Sequence, residues 1–262
     1  MNFTHLIRNL TCAAALCACV TLVPAAPPSD GIRVPSASTQ SLITPPILPL
    51  FNGKDLTGWK AYGRNDSPDA AKSWAVAEGG VITCTGQPNG YLRTTRIYAN
   101  YRLTFEWRWP TTPPPTLDAK GRPRSRNSGM LVFMQEPDAV WCRCVECQIQ
   151  EKNVGDFWLQ GGAECAEVLA ARAKALADAG NDEAAKKKAL AIHNMVKKSN
   201  VEKPVGEWNT CEIVCRGDTV IYTVNGVEQN RATGLNIKSG YIGLQAEGAP
   251  VEFRNIMFQP LE

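Results

Sequence analysis

The run Glu146-Cys147-Gln148-Ile149-Gln150-Glu151 sets a carboxylate and two amides at alternate positions. In a strand Glu146, Gln148 and Gln150 share one face, with roughly 6.5–7 Å between successive members. Val145, Cys147 and Ile149 turn to the opposite face and can fill a core. A polar row backed by an apolar row is what a sheet lining a wet cleft needs. A bulge after Ile149 would add Glu151 to the polar face. A second polar pair, Glu106 and Arg108, alternates with Tyr101, Leu103, Phe105, Trp107 and Trp109. If its face borders the same cleft, Arg108 holds a carbonyl or carboxylate and Glu106 orients it. On a solvated face the pair is an ordinary cross-strand ion pair.

Other chemistries find less support. The histidines are His5 and His193 only, so a three-His zinc site is excluded, and His193 reads as a surface residue of a helical segment. Ten cysteines fall to seven once an N-terminal signal is removed: Cys84, Cys142, Cys144, Cys147, Cys165, Cys211 and Cys215. Cys144-x-x-Cys147 has no second such pair downstream to complete four zinc ligands. Disulfides and plain buried thiols both remain open, and an odd count leaves at least one thiol free. No cofactor is indicated, although a divalent cation such as Ca²⁺ on carboxylates and carbonyls stays open. Trp109, Trp141 and Trp158 flank the polar strands and are the candidates for stacking on a flat ligand face.

The elements that must position these residues are mostly strands. Short apolar or alternating runs recur at Ser73–Ala77, Val81–Cys84, Tyr91–Thr94, Tyr101–Trp109, Ser128–Met134 and Val140–Gln150. They resume at Trp208–Arg216, Thr219–Asn225, Gly240–Gln245 and Val251–Phe258. Asn225-Gly226 is a two-residue hairpin signal. Thr111–Arg126 holds four prolines and reads as an irregular loop. Ala163–Lys198 is built of good helix formers and is interrupted at Gly180-Asn181-Asp182, which predicts two antiparallel helices inserted between strands.

Arg8 followed by the apolar stretch Leu10–Val23 and by Pro24-Ala25-Ala26 predicts an export signal over residues 1–26. Leu16-Cys17-Ala18-Cys19 offers an alternative, a lipoprotein signal ending before Cys19, whose lipid would be the chain's one membrane attachment. Residues 27–49, rich in Pro, Ser and Thr, read as a flexible tether. Residues 50–262 are left for one all-β domain, exported to the periplasm, the exterior or a lipid anchor. The net charge of +3 with 20% charged residues is too mild for a nucleic-acid partner.

Motifs along residues 50–262 resemble the 3-keto-disaccharide hydrolase family. They run from Leu50-Phe51-Asn52-Gly53-Lys54-Asp55-Leu56-Thr57-Gly58-Trp59 through Gly90-Tyr91-Leu92, Phe105-Glu106-Trp107-Arg108 and Asn127-Ser128-Gly129 to Glu146-Cys147-Gln148-Ile149. Gly206-Glu207-Trp208-Asn209, Gly240–Gln245 and Phe253-Arg254-Asn255-Ile256 complete the series. The helical segment replaces a short loop of the family pattern. The resemblance implies a concanavalin-like jelly-roll of two antiparallel sheets, here with a helical-hairpin insertion at about 163–198, and a carbohydrate lying across one sheet. It implies cleavage of 3-keto-glycosides, by hydrolysis or by β-elimination and hydration. The keto group acidifies C2–H, so one base suffices if the enolate oxygen is stabilised. Glu146 is the base candidate, with Arg108, Asn127, Gln148 or a cation as stabiliser. The spacing of Glu146 and Glu151 also resembles the paired-carboxylate strand of sandwich-fold glucanases. A lectin-like binding module without catalysis is the alternative.

Overall fold

The computed structural model describes residues 45–114, 117, 119–123 and 125–262. The expected signal over 1–26, its lipid-bearing alternative at Cys19 and the tether up to residue 44 lie outside them. Two antiparallel sheets face each other across an apolar core. One runs, in spatial order, through β13 (Val227–Ala232), β12 (Thr219–Val224), β11 (Asn209–Arg216), β6 (Tyr101–Arg108), β15 (Val251–Pro260), β4 (Val81–Cys84) and β3 (Trp74–Ala77). A short β1 (Leu48–Pro49) pairs with β15, so the domain begins just inside the expected tether. The other sheet runs through β10 (Asn194–Met195), β9 (Phe157–Gln160), β8 (Cys144–Gln148), β7 (Gly129–Met134), β14 (Tyr241–Ala246), β5 (Gly90–Thr94) and β2 (Trp59–Gly63). We call it the site sheet. The expected all-β sandwich is the fold found.

The alternation of β6 does what its sequence dictates. Tyr101, Leu103, Phe105 and Trp107 are buried, while Arg102, Thr104, Glu106 and Arg108 stand on the outer face. Asn225 and Gly226 turn β12 into β13 with φ of 48° and 81°, the two left-handed residues that a tight hairpin matching strand twist requires. All seven described cysteines are free, buried thiols. That settles the open choice between disulfides and thiols for these residues. Burial pushes the Cys84, Cys211 and Cys215 thiols up to about 12, which leaves them unreactive.

Two helices form where expected, α1 (Ala166–Ala179) and α2 (Glu183–Leu190). Gly180 ends the first. Asp182 caps the second, its Oδ1 accepting from the backbone N–H of Ala184 at 2.9 Å and of Ala185 at 3.1 Å. Glu167 on α1 accepts from the Thr233 hydroxyl at 2.6 Å and its N–H at 2.9 Å. The end of the insertion is strand rather than helix: β10 pairs with β9 and becomes an edge of the site sheet.

β7 and β8 are buried on both faces. Their inner side chains, among them Val145, Cys147, Met130 and Val132, belong to the main core. On the outer face a second apolar cluster of Tyr91, Leu131, Met134, Cys142 and Cys144 forms, with Trp141 and Tyr241 packed on it. The 135–143 connection supplies part of that cover, and a polar latch holds it down. The Arg93 guanidinium, its side chain 5% exposed, meets Asp138 through Nε–Oδ1 at 2.6 Å and a terminal nitrogen–Oδ2 contact at 3.1 Å. Tyr91 and Lys60 also donate to Asp138, at 2.9 and 2.8 Å. Burial alone would raise the Asp138 carboxyl. Hydrogen bonds from Arg93, Lys60 and Tyr91 outweigh it and hold it well below the ordinary carboxylate range.

Candidate functional site

Register decides which side chains meet on the outer face of the site sheet. Glu146 on β8 stands opposite Trp158 on β9 and Leu131 on β7, and Gln148 stands opposite Gly129. β14 pairs with β7 through Leu244 and Met130, so Gln245 follows beside Gly129. Gly129 therefore lies between two glutamines and leaves the space above it open. The Glu146 carboxylate fills that space: a Cβ on Gly129 would come within 3.1 Å of Glu146 Cγ and Oε1, and within 3.3 Å of Gln245 Oε1.

Glu146 is 2% exposed, and both its carboxylate oxygens are held by amides. Gln160 Nε2 donates to its Oε2 at 2.8 Å, and Gln245 Nε2 donates to its Oε1 at 3.0 Å. Burial pushes its carboxyl up to about 7. Glu247 adds repulsion, while the two amide donors pull the other way. At neutral pH the group is therefore divided between acid and base forms. Gln148 is 4% exposed, and its Oε1 accepts from the Gln150 N–H at 2.9 Å, which turns its NH₂ outward as a donor.

Three buried polar atoms of this face have no partner among the described residues: Trp158 Nε1, Gln245 Oε1 and Asn127 Oδ1. Buried polar atoms are rarely left unpaired; the first two belong to neighbours of Glu146 and the third to the partner of Glu247, which marks this face as a place for a polar ligand. Beyond the Gln148–Gly129–Gln245 row, Asn127, Gln150 and Glu247 line an open cavity of about 600 Å³ together with Arg122, Pro123, Ser125 and Gly248. That volume suits a small sugar. Asn127 Nδ2 donates to Glu247 Oε2 at 2.7 Å.

The sequence-derived candidates divide accordingly. Glu146, Gln148, Asn127, Trp141 and Trp158 share the outer face of the site sheet. Trp158 is half-buried, with the His193 ring edge-on at 5.0 Å. Glu106 and Arg108 do not join them. They lie on the outer face of the other sheet, where Arg254 Nε meets Glu106 Oε2 and Arg108 Nε meets Glu252 Oε2, each at 2.6 Å. Both arginines stack on Trp208, and the cross-strand ion-pair reading is the one the structure shows. Trp109 is not a stacking surface either. It is a core residue in edge contact with Trp107 at 5.3 Å, and its Nε1 donates to Glu202 at 3.2 Å. Glu151 follows β8 in a turn rather than a bulge and pairs with Arg126 at 3.3 Å, at the base of the proline-rich loop and away from the Glu146 amides. Gln160, Gln245 and Glu247 are functional candidates that the sequence reading missed. The alternation Gln245-Ala246-Glu247 was the available signal. Among the described residues no three His, Cys, Asp or Glu side chains converge as a metal site, so a Ca²⁺ ion here would depend on amide and carbonyl oxygens beside the glutamates.

The fold and this face define a jelly-roll sandwich with a buried carboxylate on one sheet and an open polar cavity beside it, an arrangement suited to carbohydrate. The chain belongs to the family of 3-keto-alpha-glucoside-1,2-lyase-like domains, whose model matches residues 47–259. Two solved structures from Parabacteroides distasonis ATCC 8503, both provisionally named glycosyl hydrolases, share the fold. One is 21% identical with a TM-score of 0.54, covering 82% of this chain and 94% of its own. The other is 20% identical with a TM-score of 0.52, covering 82% and 100%. A Bacillus licheniformis β-glucanase aligns at 13% identity over 84% of this chain and 99% of its own, with a TM-score of 0.49. No curated protein matches the sequence.

Proposed function

We propose that the protein is an exported enzyme that cleaves 3-keto-glycosides by β-elimination, with Glu146 as the base. The observation that carries this reading is a buried carboxylate held by two amide donors with unpartnered polar atoms beside it, where burial pushes the carboxyl up to about 7. A general base works best when its pKa lies near the operating pH. The 3-keto group lowers the acidity barrier at C2, and Glu146 takes that proton. The developing oxyanion at C3 needs donors in place beforehand. The Trp158 indole N–H, buried without a partner opposite Glu146, and the Gln148 amide are the groups positioned to supply them. Trp141, half-buried on the cover of the same face, offers a flat apolar wall for the sugar ring. Export is part of the proposal and rests on residues 1–26 or on Cys19.

The test is turnover of a 3-keto-glucoside by the wild type and by Glu146→Gln. The proposal expects cleavage by the first, and at least a hundredfold loss with retained binding in the second. Wild-type binding without cleavage would identify a lectin-like module instead.

A further inference from the structure

We propose that Glu247 is the second proton-transfer group of this site, coupled to Glu146 across Gln245, and that the cavity it lines receives the leaving group. This rests on the elimination reading above. The geometry is specific. Gln245 and Glu247 alternate with the core residue Ala246, so both point to the outer face. Gln245 is fully buried and bonds Glu146 through Nε2, yet its Oε1 has no partner. A protonated carboxyl two residues along the same face is the donor that such an acceptor needs. Both Glu146 oxygens already accept amide N–H groups, whereas Glu247 receives the Asn127 amide at one oxygen. The other Glu247 oxygen is left open to carry and pass a proton.

The surroundings agree. Burial pushes the Glu247 carboxyl up, and Arg64 opposes this. Glu146 has Glu247 and the Cys144 and Cys147 thiols as its charged or titratable neighbours. Like charges held close cannot both ionise freely. The Glu146 carboxylate stands over Gly129 on the outer face, while Glu247 borders the 600 Å³ cavity with Asn127, Gln150 and Ser125. The sugar ring then lies toward Glu146 and Trp158, and its C1 substituent toward Glu247.

The step balances. The C2–H bond breaks and its proton goes to Glu146. The electron pair forms C1=C2, the C1–O bond breaks, and the leaving oxygen takes the proton from Glu247. Hydration is the same step in reverse with water in the aglycone's place. Glu247 accepts a proton from water as oxygen bonds to C1, and Glu146, its own proton exchanged with solvent water, delivers a proton to C2. Both carboxyls end as they began.

The experiment uses the full chain carrying Glu247→Gln and two 3-keto-glucosides, one with a methanol leaving group and one with 4-nitrophenol. An acid contributes roughly 10²–10⁴-fold where the leaving group is poor. We expect at least a hundredfold loss on the methyl glycoside and less than tenfold on the nitrophenyl glycoside. Equal losses on both, or none on either, would overturn the assignment. Carbon-13 carboxyl titration of Glu146 gives a readout independent of turnover. Its midpoint should fall in Glu247→Gln as the repulsion is removed, and an unmoved midpoint would overturn the coupling. A wild type inert on both glycosides sinks the elimination reading, while the titration still decides the pairing.

Discussion

Replacing Glu146 by Gln should stabilise the protein in alkali and change little in acid. The folded state raises this carboxyl from an ordinary 4.5 to about 7, so folding favours the protonated form. The stability contributed by that form is complete below pH 4.5 and is lost as pH climbs through 7. Fully expressed, the loss is about 3 kcal/mol, and with the group 2% exposed solvent does little to screen it. Gln carries no charge at any pH and escapes the loss. Its new NH₂ group finds an acceptor in Gln245 Oε1, which is buried without a partner. One kcal/mol moves Tm by about 2–4 °C for a domain of this size, so melting curves should separate by roughly 6–12 °C near pH 8.5 and converge by pH 4. Calorimetric melts of both proteins across that range are the assay, since other groups titrate alike in each. A separation that stays constant with pH would refute the reasoning, because it would mean that Glu146 ionises in the fold as it does in water.

Other substitutions probe the scaffold around it. Gly129→Ala drives a methyl against Glu146 and Gln245 and should cost about 1–3 kcal/mol, read by urea unfolding, together with most of the turnover. Asp138→Ala leaves the buried Arg93 without its bidentate partner. It should lower stability by roughly 3–5 kcal/mol and speed amide exchange across 135–143. Arg108→Ala removes a half-exposed ion pair on the opposite sheet, so it should cost less than about 1 kcal/mol and leave turnover within twofold of wild type; a larger drop would return Arg108 to the site.

The period of two along a strand was legible in the sequence and told which residues face in and which face out. It separated Val145 and Cys147 from Glu146 and Gln148, and it put Trp109 in the aromatic row of Tyr101–Trp107, although its position beside the proline-rich loop suggested a ligand surface. What local pattern cannot encode is which sheet a strand joins. β6 and β8 both carry polar outer rows, and only pairings distant in sequence, such as β6 with β15 and β8 with β9, put them on opposite outer surfaces. Gln245 and Glu247 were hidden for the same reason. They reach Glu146 only because β14 lies beside β7, more than a hundred residues earlier, and because Gly129 leaves the space between them. The helical hairpin was readable from composition and caps, but its return as β10 depends on the free edge of β9.

The central claim is that the bond is broken through loss of the C2 proton. Its most direct measurement is cleavage of a 3-keto-glucoside in D₂O, with the released 3-keto sugar examined by NMR as it forms and against free product incubated alone. The account predicts deuterium at C2 in every turnover by the wild type, and neither deuterium nor product with Glu146→Gln. Product that retains its original hydrogen at C2 would contradict it.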